Sequence, residues 1–344
     1  MRAVVYDGYS APATVREVPP PACPVGGAIV AVRATGVCRS DWHAWRGHDP
    51  VPLPHIPGHE FAGVVAEIGP AVTGFRVGDR VTAPFVCGCG RCEYCRSGNS
   101  QVCPQQTQPG FTGPGTFAEL VRIDGADVNL VRLPDTVDFV DAAALGCRFA
   151  TAYRALAVHG RIAAGQWLAV FGCGGLGLSA IMIGVALGAR VLAVDTADGA
   201  LQRAAQLGAD VTLCAAGAGD LTDRIVEITG GGAHVAIDAA GAPALAAAGV
   251  RSLRRRGRHV QVGLLLGEHA LAALPMDLVI SRELEIYGSH GMPAVDYPAM
   301  LDAVTAGVLQ PGRLVGRTIA MEDAGEALAT MDGPGDSGIT VVVP

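Results

Sequence analysis

A short apolar run, Leu168 to Phe171, breaks into Gly172, Cys173, Gly174, Gly175, Leu176 and Gly177, then resumes as a helix-compatible stretch. G-x-G-x-x-G between a strand and a helix admits few folds. The first glycine permits a tight turn and the second lets the backbone approach a pyrophosphate. The third lets the helix pack on the strand, with the phosphate at the helix N-terminus. In a chain with 47 glycines the pattern needs context. A second strand, RVLAVD, supplies it by ending at Asp195, 18 residues past Gly177, where a carboxylate reaches the adenosine ribose hydroxyls of a dinucleotide. That carboxylate repels a 2′-phosphate, and the next residue is Thr196 rather than an arginine, so NAD is expected over NADP.

From about Ala150 the runs LAVFG, RVLAVD, DVTLC, HVAIDAAG, RHVQVGLL and LEIYG alternate with Ala-rich helical stretches. This predicts an α/β fold with a doubly wound parallel sheet, a Rossmann domain over residues 149–287. Residues 1–148 differ: they are rich in Gly, Pro and Val, with AIVAVRATGV and EFAGVVAEIG separated by turn signals, and read as a mostly β lobe. The final ITVVVP is too short to stand alone, so residues 288–344 are expected to return to that lobe. The segment PGFTGPGTF reads as a Gly/Pro loop. Trp167 to Ala189 carries no charge over 23 residues, long enough to raise a membrane span. Its six glycines and flanking alternation favour a buried strand, turn and helix, and no membrane partner is expected.

A net charge of −7 argues against nucleic acid as a partner, because no basic excess displaces counterions from a phosphate backbone. The Arg254, Arg255, Arg256 run reads as a solvated helix end or turn. No lysine occurs, all 25 basic residues being arginine, which excludes Schiff-base chemistry and a lysine general base. The opening MRAVVYDG reads as a first strand rather than a targeting segment. Ten cysteines then fit a reducing, cytoplasmic setting in which thiols serve metals.

Four of them, Cys89, Cys92, Cys95 and Cys103, are spaced C-x2-C-x2-C-x7-C, so one loop can enclose a tetrahedral zinc in thiolate. Such a site is closed to substrate, and chemistry requires a second one with a vacancy. Two thiolates and an imidazole from Cys38, His59 and Cys147 meet that requirement. Read singly, a histidine after a Pro-Gly turn is more often a structural residue, and a lone cysteine is usually a small buried hydrophobe.

The motifs GVCRSDWHAW, PGHEFAGVV and VGDRV, with the four-cysteine loop and the glycine turn, span nearly the whole chain. Together they resemble the zinc-dependent alcohol dehydrogenases of the medium-chain dehydrogenase/reductase superfamily. The resemblance implies a GroES-like, mostly β catalytic domain around an inserted Rossmann domain, with two zinc ions per subunit, one catalytic and one structural. It implies Cys38, His59 and Cys147 as catalytic ligands and Glu60 as a carboxylate that approaches the metal when water or substrate exchanges. Asp41 matches the acid that holds His59 by its other ring nitrogen. Ser40 and His43 match the proton relay, and Arg39 a contact to the pyrophosphate. Thr151 and Val262 match positions flanking the nicotinamide, against which Leu176 presses. Phe85 matches a wall of the substrate pocket, and Trp42 is assigned to the same apolar pocket.

Some positions depart from the family pattern. A basic residue often found near the ribose is Ala200 here, and MPAVDY after Gly291 lacks the arginine that many relatives place against the pyrophosphate. Cys23, Cys87, Cys173 and Cys214 read as packing residues. The expected activity is reversible hydride transfer between a primary or secondary alcohol and NAD, giving an aldehyde or ketone, by a dimer or tetramer. A polyol or amino-alcohol dehydrogenase of the same superfamily is the near alternative. A zinc-free quinone reductase would have no use for Cys38, His59 and Cys147 together, and a non-catalytic zinc-binding scaffold would have none for Ser40 and His43.

Overall fold

Residues Ala28–Val37, AIVAVRATGV, form a ten-residue strand whose small and β-branched side chains are mostly buried, as suits the middle of a sheet. In the computed structural model, which describes residues 1–216, 220–331, 333 and 338–344, this strand pairs antiparallel with Glu60–Ile68 along one edge. Its other edge pairs with Leu120–Ile123 near its start and Ile339–Val343 near its end. The sheet continues through Arg80–Thr82 to Val131–Arg132 in one direction and to Val315–Ala320 in the other. Two apolar clusters fill in around it, one containing Phe61, Val65, Val81 and Ile123, the other Tyr6, Trp45, Phe117 and Leu328. This unit comprises Met1–Ala150 and Gly291–Pro344, so the chain's last strand completes a sheet begun by its first hundred residues.

The register of the central pair brings together two residues far apart in sequence. Gly36 lies opposite Glu60, so the residues just beyond each strand end, Cys38 and His59, are delivered to the same end of the sheet.

The second unit, Thr151–His290, is built on six parallel strands. Their spatial order is Val211–Cys214, Arg190–Asp195, Trp167–Phe171, Ala233–Asp238, Leu253–Gln261, Glu285–Gly288, which in chain order is 3-2-1-4-5-6. That is the doubly wound Rossmann order. Trp167–Phe171 is buried throughout, as a strand covered on both faces must be, and Phe171, Val194 and Ile225 anchor the core. The uncharged stretch from Trp167 resolves into this strand, the glycine turn and the helix Gly175–Ala186, and no described helix is long and apolar enough to cross a membrane.

The arginine run departs from its expected setting. Arg254, Arg255 and Arg256 belong to the strand Leu253–Gln261, in a bulge where the neighbour advances from Ala233 to Val235 while this strand advances from Leu253 to Arg258. The surplus backbone turns outward, with Arg256 at φ 60°, and the three guanidiniums reach His234, the Ser281 carbonyl and Glu283.

Candidate metal centre and dinucleotide turn

Cys38 follows the central strand and caps the helix Arg39–Arg46. Asp41, in the first turn of that helix, is fully buried, and its Oδ2 accepts from the Cys38 backbone N–H at 3.0 Å. Its Oδ1 accepts from the Gly58 N–H at 3.0 Å and from His59 Nδ1 at 2.7 Å. One carboxylate therefore ties the helix start to the strand that follows His59. A carboxylate only accepts, so Nδ1 carries a hydrogen and Nε2 is the ring atom left for a metal to take. Nε2 is buried and has no hydrogen-bond partner among the described residues.

That orphaned nitrogen belongs to a cluster in which the ligand atoms of Cys38, His59, Glu60 and Cys147 all lie within 4.8 Å of one another. Cys147 arrives from the segment Leu145–Phe149, whose Gly146 (φ −48°, ψ −115°) bends so closely over Glu60 that a Cβ there would stand 2.7 Å from the Glu60 Cβ. The thiol of Cys38 is held well below its usual range, first by the Cys147 thiol and then by Arg148 and His59, while the Cys147 thiol is pushed well above its own by Cys38 and by burial. One thiolate is thus shared across two sulfurs, and a dication would displace the remaining proton. Two sulfurs, one imidazole nitrogen and a buried setting suit zinc with a position left open.

The second cluster is Cys89, Cys92, Cys95 and Cys103. The Sγ of Cys92 stands 3.5 Å from that of Cys95 and 3.7 Å from that of Cys103, near the tetrahedral edge of about 3.8 Å set by a Zn–S bond of about 2.3 Å. Backbone N–H groups of Cys89 and Gln105 point at Cys103 Sγ, and that of Cys95 at Cys92 Sγ, which suits thiolate acceptors. Asn129 braces the loop by exchanging hydrogen bonds with the Gly88 backbone at 2.8 and 3.0 Å.

In the other unit, Gly172 adopts φ 91°, where a Cβ would come within 2.8 Å of the Ala240 Cβ. At Gly177 a Cβ would overlap the Gly172 carbonyl, whereas a Cβ on Gly174 meets nothing within 4 Å. The outer two glycines are needed for the turn, and the middle one leaves its approach open. The helix Gly175–Ala186 presents its first N–H groups at this turn, and by helix geometry they lack intrahelical partners. Asp195 closes the next strand, its carboxylate accepting from the N–H groups of Cys173 at 2.6 Å, Thr196 at 2.7 Å and Ala197 at 2.9 Å. The turn, helix start and carboxylate fit a dinucleotide.

Residues 25–135 match the family described as alcohol dehydrogenase GroES-like domain, and residues 175–306 the family described as zinc-binding dehydrogenase. An alcohol dehydrogenase of Geobacillus stearothermophilus is 40% identical over 267 residues, covering 77% of this chain and 78% of that one. The chain belongs to the zinc-type alcohol dehydrogenases of the medium-chain dehydrogenase/reductase superfamily. Its fold is similar to that of the alcohol dehydrogenase TADH from Thermus sp. ATN1, with a TM-score of 0.93 at 30% identity over 100% of this chain and 99% of that one. A solved NAD-dependent alcohol dehydrogenase gives 0.90 at 30% identity, with both chains fully covered.

Within this alcohol dehydrogenase, Ser40 Oγ stands 3.9 Å from Cys38 Sγ on the same helix as His43. His43 Nδ1 faces His48 Nδ1 at 3.2 Å. Burial first, then His48 and Arg39, hold His43 below its ordinary 6.5. Phe85 lies edge-on to His59 with ring centroids 6.0 Å apart. Thr151 is buried, Val262 follows the strand Leu253–Gln261, and Leu176 lies in the first turn of its helix.

Trp42 is placed differently from expectation. Its ring packs into the core with Val4, Tyr6, Val37 and Phe117, edge-on to His43 and His48, with Arg39 and Arg46 over its face. Buried Asp41, Trp42, Ala44 and Trp45 share the inner side of a helix whose outer side carries Arg39 and Arg46, so Trp42 supports the helix rather than lining a pocket. Phe111, partly buried against the same cluster, brings its ring to 5.1 Å from that of His59. Arg148 was not foreseen at all, although it adjoins Cys147. Its Nε and backbone N–H donate to Glu60 Oε1 at 3.0 and 3.2 Å, and its Nη2 donates to Oε2.

Proposed function

We propose that this alcohol oxidoreductase moves hydride reversibly between a primary or secondary alcohol and NAD, giving an aldehyde or ketone, with zinc at the Cys38–His59–Cys147 cluster. The observation carrying this is the buried, unpartnered His59 Nε2 beside two thiols, its ring set by Asp41. Zinc bound there supplies a Lewis acid that eases ionisation of the substrate hydroxyl. Ser40 receives the proton, and half-buried His43, neutral at neutral pH because its pKa is depressed, passes it outward. Phe85 and Phe111 beside His59 give an apolar wall, which favours alcohols over polyols.

The remaining assignments carry over from the sequence motifs and the family resemblance. The four-cysteine loop holds a second, structural zinc, supported by its sulfur spacing. Asp195 selects NAD over NADP, and Gly172, Gly174, Gly175, Leu176, Gly177, Arg39, Thr151 and Val262 serve the cofactor. Self-association is supported by the outer edge of Glu285–Gly288, unpaired among the described residues, and by exposed Leu271 and Ile280. Thiols kept for metal sites support a cytoplasmic setting.

Ser40→Ala tests the reading, because a scaffold has no use for a relay. Zinc content should stay at the parent value while turnover with an alcohol panel falls about 10²- to 10⁴-fold. Unchanged turnover refutes the relay, and a parent chain inactive on every alcohol and carbonyl tested refutes the function.

A further inference from the structure

Glu60 is fully buried beside the metal cluster, and both its oxygens are engaged by one residue. Arg148, its side chain 11% exposed, approaches as a planar fork and adds its own backbone N–H, so three donors converge on the carboxylate. Two glycines leave no slack around the pair. A Cβ on Gly146 would stand 2.7 Å from the Glu60 Cβ, and one on Gly36 would overlap Glu60 Oε2 and stand 2.9 Å from Arg148 Nη2. Yet the Glu60 carboxylate is also within 4.8 Å of the three other ligand atoms. A metal ion and a guanidinium therefore compete for one carboxylate.

Charge counting shows what the competition decides. Two thiolates neutralise a dication; a bound carboxylate would leave the centre anionic and occupy its open position. Resting on the assignment of zinc to this cluster, we propose that Arg148 is a positioning residue that clamps Glu60 off the metal, keeping the fourth position for water or the substrate oxygen. The clamp adjoins ligand Cys147, so the segment that supplies a metal ligand also restrains the rival one.

Cobalt(II) in place of zinc reports the ligand set through its visible ligand-field bands, independently of turnover. The full-length chain would be loaded as parent, Glu60→Gln, Arg148→Gln and the double variant, with Cys38→Ser providing the background of the four-cysteine loop. Parent and Glu60→Gln should share one spectrum, Arg148→Gln should show shifted bands as the carboxylate joins the metal, and the double variant should return to the parent bands. A shift in Glu60→Gln overturns the proposal, as does a folded, loaded Arg148→Gln with the parent spectrum. Should Arg148→Gln fail to fold, the Glu60→Gln comparison alone decides whether Glu60 is held off at rest. Equal cobalt uptake by parent and Cys38→Ser would instead overturn the metal assignment on which the clamp depends.

Discussion

Replacing Asp41 with asparagine keeps the volume of a fully buried side chain but changes what it can accept. The carboxylate serves three donors, His59 Nδ1 at 2.7 Å and the N–H groups of Gly58 and Cys38 at 3.0 Å each. An amide offers one oxygen. With that oxygen facing His59 and Gly58, its NH2 points at the Cys38 N–H, leaving one buried donor unpaired at a cost of about 1–3 kcal/mol. Turned the other way, the amide confronts His59 Nδ1–H and disfavours the tautomer that frees Nε2 for a metal. Either orientation should weaken zinc binding about 10- to 100-fold, equivalent to about 1.4–2.7 kcal/mol. Competition against a chromophoric chelator measures this, and the four-cysteine site, which Asp41 does not touch, serves as an internal standard. One zinc should be surrendered early and the other at the parent concentration. Asp41→Asn holding both zincs within about threefold of the parent would refute the proposed coupling between carboxylate and ligand.

Two other substitutions address the cofactor and the relay. Asp195→Gly removes the charge that repels a 2′-phosphate and should shift the ratio of kcat/KM for NAD over NADP by about tenfold, about 1.4 kcal/mol, toward NADP; an unmoved ratio would remove Asp195 from cofactor selection. His48→Gln deletes one influence depressing His43, so its pKa should rise toward the ordinary 6.5. A base works only above its pKa, so the acid limb of the kcat–pH profile for alcohol oxidation should move upward, and a limb that stays put or falls would separate His43 from the relay.

What could be read from the chain was what short spacing encodes. The glycine turn lies within six residues and the four-cysteine loop within fifteen, and steric or coordination geometry leaves them little choice. The dispersed ligands needed family resemblance, because the register pairing Gly36 with Glu60 is a property of the sheet. Trp42 was misplaced because proximity to Cys38 outweighed helical periodicity; the Trp42–Trp45 spacing already marked an inward face. Arg148 and Glu60 are 88 positions apart, and Phe111 meets His59 from a Gly/Pro loop. Such contacts leave no local signature. The bulge that carries Arg254 to Arg256 outward is likewise a consequence of strand pairing.

With zinc proposed at Cys38, His59 and Cys147 as the reaction centre, NAD-linked alcohol oxidation should depend on Cys38. Alcohol-dependent NADH formation by the parent and by Cys38→Ser, each assayed with its zinc content determined, tests it directly. The variant should lose one zinc, keep the other and form NADH at no measurable rate. A folded Cys38→Ser chain that carries one zinc and oxidises alcohols at the parent rate would contradict it.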